Sequence, residues 1–256
     1  MTDNPAKIIP FPKAKSKARP VQKTSVYTCR NPFQNVFRFK IILQDVKPVV
    51  WRRIEVPDCC TFWDLHVAIT DAFGWLDYHL HEFEILNHKT GKAESIGSPD
   101  EEGFAELDGG APVKSDRGQK LAVLFNEKNR QATYCYDFGD GWEHSVELEA
   151  ILPKEEGVCY PRCTGGEMAA PPDDCGGPPG YENLLNAIRN PRHPEHKNQV
   201  NWLRMMKGAG FKPDYFDSVA VHFDDPDKRW KIAFEEGKIT PDMRGWDFFK
   251  RQGRME

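Results

Sequence analysis

The chain has 256 residues, 39% of them hydrophobic, and its 35 Lys/Arg against 39 Asp/Glu give a formal net charge of −4. That length and hydrophobic fraction suffice for a sizeable core and exclude a globally disordered chain. No apolar run approaches the roughly 20 residues of a membrane-spanning helix; the best are Phe39–Leu43 and Leu121–Phe125.

The mean charge conceals an asymmetry. Residues 1–30 carry seven Lys/Arg and one acid (+6), and residues 31–256 carry 28 bases and 38 acids (−10). Prolines 5, 10, 12 and 20 prevent a regular helix in the first segment, which reads as a disordered basic arm. Its longest apolar stretch is Ile8–Ile9, whereas a secretory signal needs about 7 apolar residues, so a cytoplasmic protein is expected. Lys13, Lys15, Lys17 and Arg19 are the arm's candidate nucleic-acid contacts, since clustered cations displace phosphate counterions. The alternative is a solvated tail, because no aromatic interleaves those lysines for base stacking. Seven cysteines without an export signal point to free thiols or metal ligands rather than a disulfide framework.

The expected organisation is a basic arm over 1–30, one domain over 31–240 and a peripheral tail over 241–256. Val36–Leu43 and Val49–Val56 are β-rich and joined by a turn-like QDVKP, a hairpin pattern. Thr61 with Asp64 three residues on marks a helix start, and Gly74 is its natural stop. Leu65, Ala68, Ile69, Ala72 and Phe73 share one face of that helix. A strand over His79–Leu86 follows, completing a β-β-α-β start like that of a β-grasp layer. Residues 87–118 read as a long loop.

Next come a strand over Ala132–Phe138, a turn at Gly139-Asp140-Gly141 and a strand over Trp142–Leu152. In the last of these Trp142, His144, Val146 and Leu148 face one side and the acidic and polar residues the other. Residues 160–180 hold five prolines and five glycines and are expected to form a loop that needs an anchor. Two helices, Tyr181–Arg189 and Glu195–Lys207, then a short strand and a charged helix within Val219–Gly237, give a helical C-terminal part. The fold class expected is α+β, a mainly antiparallel sheet packed by helices.

Several motifs together resemble one family: VVWRRIEVP, DLHVAITDAFGW, HLHEF, YDFGDGWEH, YPRC, PPDDCGGPPGYENLL, HPEH, and FKPDYFD followed by DDPDKRW. In this order they resemble the plasmid pRi open-reading-frame-three-like family, often labelled insertion-element passenger proteins, from about residue 36 to 235. The resemblance implies a bacterial and archaeal cytoplasmic α+β domain with no established activity, in a mobile-element neighbourhood. It does not reach the basic arm.

Three constellations can carry chemistry. His79 and His81, at i and i+2 on a predicted strand, would share a face, and with His144 and a carboxylate such as Asp137 they would make a metal site. The competing reading is packed core histidines. Cys163 and Cys175, with His193 and His196 beyond them, would hold a structural zinc that ties down the Pro/Gly loop. Both cysteines and both histidines lie in the family-like motifs, whereas Cys159 does not; the competing reading is buried free thiols. In DFGDGWEH the glycines favour a tight hairpin, with a lesser reading in which Asp137, Asp140 and Glu143 line a site with His144. Missing G-x-S-x-G, H-E-x-x-H and dinucleotide-binding patterns leave the common hydrolase, protease and dehydrogenase classes without support. Three roles remain: a binding module with a Cys/His zinc clamp, a metal-dependent enzyme using the three histidines, and nucleic-acid binding through the arm.

Overall fold

In the computed structural model, residues 32–97, 113–207 and 211–235 are described. Among them β1 (Asn35–Leu43), β2 (Trp51–Pro57), α1 (Phe62–Phe73), β3 (His81–Asn87), β4 (Lys92–Gly97), β5 (Lys114–Ser115) and α2 (Leu121–Leu124) come first. Then follow β6 (Gln131–Tyr136), β7 (Trp142–Pro153), β8 (Arg162–Glu167), α3 (Gly177–Arg189), α4 (His196–Lys207) and α5 (Pro226–Trp230). The chain continues from α5 as a π-helical turn, Lys231–Glu235. No described helix is long and apolar enough to cross a membrane.

The eight strands form one sheet in the order β5-β4-β3-β6-β7-β1-β2-β8. Every pairing is antiparallel except β4 with β5. The α+β class with a mainly antiparallel sheet therefore holds. The β-grasp-like start gains no support: β3 is separated from β1 by β6 and β7, because the β6–β7 hairpin inserts between them. Nor do the described residues of 219–235 include a strand; they carry only α5 and the π-helical turn.

Local chemistry explains α1. The Thr61 hydroxyl accepts from Asp64 N while the Asp64 carboxylate accepts from Thr61 N, a reciprocal cap. Gly74 closes the helix in the left-handed region at φ 71°. The buried face of α1 brings Phe62, Leu65, Ala68, Ile69 and Ala72 onto Phe39, Ile41 and Phe83 of the sheet. Phe62 meets Phe83 edge-on at 5.2 Å and stacks on Phe125 at 5.8 Å. Along β7, Trp142, His144, Val146 and Leu148 point into this core, as the alternation predicts.

The other face of the sheet is charged and self-compensating. Glu55 of β2 is fully buried between Arg38 of β1 and Arg162 of β8, and Arg53 pairs with Glu149 of β7. These carboxylates oppose Arg38, Arg53 and Arg162 on that face.

The Pro/Gly-rich stretch is more ordered than its composition suggests. β8 lies at a sheet edge, where glycine is tolerated. Gly166 is required there, since a Cβ would come within 2.4 Å of the Phe216 ring. Phe216 in turn lies 3.6 Å beneath the buried Arg52 guanidinium, which donates to the carbonyls of Trp51, Ala72 and Glu167. Burial lowers the Arg52 pKa to about 10. Cys135, Cys159, Cys163 and Cys175 are free thiols, one of the two states expected, but Cys59 is disulfide-bonded, against that expectation.

Candidate functional site

Three segments distant in sequence meet at one end of the inner strands β3, β6 and β7. The first is Trp75–Leu80, which leaves the C-cap of α1 and enters β3. The second is the turn Asp137–Gly141 between β6 and β7, and the third is Pro171–Gly177 ahead of α3.

Side chains and backbone stitch the segments together. Trp75 Nε1 donates to Pro171 O at 2.9 Å and Leu76 N to Asp173 Oδ2 at 3.3 Å. Asp137 N donates to Leu80 O at 2.9 Å. Asp140 Oδ2 accepts from Gly176 N at 3.2 Å, and Gly177 passes so close that a Cβ there would be 2.4 Å from Asp140 O. Hence the DFGDG turn can approach the DDCGG loop only because residue 177 is glycine. Within the turn, Asp137 Oδ1 accepts from the amides of Gly139 and Asp140. Asp77, Asp137 and Asp174 all have left-handed φ of 57–58°, a conformation Asp tolerates better than most residues.

At the meeting point His79 Nε2 lies 3.3 Å from Asp137 Oδ2 and 3.2 Å from Asp174 Oδ1. Tyr78 Oη donates to the other oxygen of Asp174. Burial and that hydrogen bond hold the Tyr78 pKa well above its usual value, so the phenol remains a donor. Asp137 is buried, His79 half-buried and Asp174 exposed. One ligand atom from each of the three falls within 4.8 Å of the others, and among the described residues this is the one such group of His, Cys and carboxylates. Leu80 and Phe138 lie in the adjoining segments, with 59% and 55% of their surface in solvent. Inward of Asp174, Asp173 is buried, and that burial raises its pKa to about 6.

Behind this site lies a second, sealed constellation. His66 of α1 and His81 of β3 stack with ring centroids 3.5 Å apart and planes 9° from parallel. His66 Nε2 is 2.7 Å from Asp77 Oδ1, its Nδ1 is 2.8 Å from Tyr134 Oη, and His81 Nε2 is 3.0 Å from Asp116 Oδ2. Burial and the neighbouring His66 lower the His81 pKa to about 4. Burial alone would raise Asp77, but the charges and hydrogen bond of His66 and Arg229 hold it well below the usual carboxylate range. His144, buried against Phe73, Trp75 and Tyr134, is pushed down to about 3 by burial. Its Nδ1 lies 3.2 Å from Tyr134 O, while its Nε2 and the Trp142 Nε1 are buried without a hydrogen-bond partner.

The structure therefore divides the predicted sites. His79, His81 and His144 do not share a site. β3 begins at His81, so His79 precedes the strand and turns outward, while His81 and His144 pack inside. Asp137 does lie beside His79, but His144 faces away from Glu143, across the sheet.

Cys163, Cys175, His193 and His196 are likewise not assembled, for each is otherwise engaged or placed. Cys163 Sγ donates to Gly165 O, and burial lifts its pKa to about 11. Cys175 is half-buried, and burial lifts its pKa to about 12. His193 Nδ1 accepts from Glu195 N at 3.2 Å, and His196 Nδ1 sits 2.9 Å from Ala187 O, tying α3 to α4. Lys13, Lys15, Lys17 and Arg19 lie outside the described residues. Sequence reasoning missed Asp174, Tyr78, His66, Asp77, Asp116 and Arg229. Asp174 stood in the PPDDC motif, but nothing local tied it to a histidine 95 residues earlier.

The fold is a mainly antiparallel α+β sheet, with the DFGDGWEH and PPDDCGG segments meeting at the ends of its inner strands. Residues 35–220 match the family described as plasmid pRiA4b ORF-3-like protein, and the chain belongs to that family. An uncharacterized protein, y4hQ, of Sinorhizobium fredii (strain NBRC 101917 / NGR234) is 35% identical over 191 residues, covering 74% of this chain and 87% of its own. The crystal structure of a protein of unknown function, MM3350, from Methanosarcina mazei Go1 superposes with a TM-score of 0.68 at 43% identity. That match covers 75% of this chain and all of the archaeal one.

Proposed function

We propose that this protein is a binding module whose working part is a divalent-cation site formed by His79, Asp137 and Asp174. The observation that carries the reading is the placement of one imidazole nitrogen at 3.2 and 3.3 Å from two carboxylate oxygens drawn from different segments. One N–H cannot serve two carboxylates well, and charge-assisted hydrogen bonds are shorter, at about 2.7–2.9 Å. Ligands that share a tetrahedral zinc at about 2.1 Å stand about 3.4 Å apart. Imidazole with two carboxylates suits zinc, and Tyr78 would orient Asp174 from outside the coordination sphere. The exposed Leu80 and Phe138 would give a partner an apolar contact beside the cation.

Isothermal titration with Zn²⁺ tests this. One equivalent should bind, and His79→Ala or Asp137→Asn should abolish binding while the folded circular-dichroism spectrum persists. A wild-type chain that takes up no zinc sinks the proposal.

A catalytic use draws on the same ligands, because three protein groups leave a coordination position for water. Zinc-dependent hydrolysis of a generic phosphodiester, absent from His79→Ala, separates catalysis from binding alone. The plasmid in the family's description is compatible with either use. A nucleic-acid role falls to the basic arm, Lys13 to Arg19, since the remaining chain carries −10 and the outer sheet face pairs its own charges. Seven phosphate contacts would give a salt slope of log K on the order of −6, lost on deletion of residues 1–25.

A further inference from the structure

The structure assigns Arg229 as a positioning residue for the His79 site, acting through Asp77, so that the C-terminal segment controls the site's affinity. This rests on the cation-site reading above. The Arg229 guanidinium, carried by α5, reaches four groups of the first helix and its surroundings. Nη1 donates to Thr70 Oγ1 at 3.0 Å and Asp77 Oδ2 at 3.2 Å, and Nη2 to Asp71 Oδ1 at 2.5 Å and Asp224 Oδ2 at 2.7 Å. The segment is further docked by Trp63 Nε1 donating to Pro226 O and Asp224 N donating to Asp71 Oδ2.

Asp77 is the junction between this latch and the site. Its second oxygen accepts from His66 Nε2, so the carboxylate is gripped from both sides. It is buried and its backbone is left-handed, and it immediately precedes Tyr78 and His79, which supply both contacts to Asp174. A non-glycine residue in that conformation persists only where its surroundings hold it, and here His66 and Arg229 do so from the two carboxylate oxygens. Loosening Arg229 therefore frees the Asp77 turn while leaving Asp137 held by the amides of its own turn. Affinity for a cation needs all three ligands within a fraction of an ångström, so the turn is where a distant contact can act.

The test compares three variants of the full chain in zinc titration and amide hydrogen exchange. Asp77→Asn retains an acceptor for His66 and tolerates the left-handed backbone, but loses the charge facing Arg229. Arg229→Lys retains the cation for Asp71 but cannot span the four groups. Asp224→Asn is the control: it removes an Arg229 partner that does not touch the Asp77 turn. Asp77→Asn and Arg229→Lys should weaken zinc binding at least tenfold, with Asp224→Asn within about twofold of wild type. Equal affinities in all four proteins, or an equal loss in Asp224→Asn, overturn the assignment. If wild type binds no zinc, the cation reading fails by itself and exchange of the Asp137 amide, bonded to Leu80 O, decides the coupling. Exchange at least tenfold faster in Asp77→Asn and Arg229→Lys than in Asp224→Asn upholds it, and equal exchange refutes it.

Discussion

His66, His81 and His144 lie inside the molecule with 5% or less of their surface exposed, whereas His79, two residues before His81, keeps a quarter of its side chain in solvent. His66 and His81 in the sealed group and His79 in the open one use the same chemistry, imidazole against carboxylate. They differ in what encloses them. His66 and His81 stack between α1 and the sheet and each spends a ring nitrogen on a buried aspartate, so neither has a face for a ligand. His79 stands before the first hydrogen-bonded residue of β3 and faces two carboxylates, one of them exposed. Availability is thus set by where the strand begins, not by the residue type.

The comparison can be broken hardest at its interior. Replacing Arg229 by Met leaves Asp71 and Asp77 buried without their cation, and should cost about 3–5 kcal/mol in urea unfolding. A loss under about 1 kcal/mol would mean that the interior charges are not sealed. On the open side, zinc at a hundredfold over its Kd should add about 2.7 kcal/mol by mass action. No shift in thermal midpoint on adding zinc would remove the contrast.

The pH dependence sharpens the sealed half. His144 has a pKa lowered to about 3 when folded, against about 6.5 unfolded, so the unfolded chain binds the extra proton between those values. Its contribution is fully present above pH 6.5 and is lost as pH falls, by about 2 kcal/mol between pH 6.5 and 5. His144→Phe should flatten that slope by one proton and relieve the unpartnered Nε2. An unchanged slope would show that His144 is accessible. The smallest effect is expected at the surface: His79→Ala should change stability by less than about 0.5 kcal/mol while removing zinc binding. EDTA should do no more than reverse the midpoint gain that added zinc produces, whereas a structural Cys/His zinc would make the fold collapse under chelation.

Much of the fold was legible because its signals are local. Thr61, Asp64 and Gly74 bound α1 through contacts that close within a few residues. The alternation along Trp142–Leu148 reports burial on one face, since side chains on a strand point to opposite sides in turn. The same rule misled at His79 and His81, because it presupposes that both belong to the strand. The Cys163/Cys175/His193/His196 reading drew on sequence proximity and metal-suited donors, but β8 and the α3–α4 connection carry those side chains to separate partners.

By itself the sequence determined the α+β class, the boundaries of α1, the facing of β7 and the cancellation of charge between residues 1–30 and 31–256. Each follows from propensity, period or composition within a short window. Only the tertiary structure decided that Asp174 meets His79 across 95 residues, that His66 stacks on His81, and that Arg229 reaches back to Asp77. Those pairings depend on sheet order and on glycines, such as Gly177 beneath Asp140, that let two loops approach closely enough to touch.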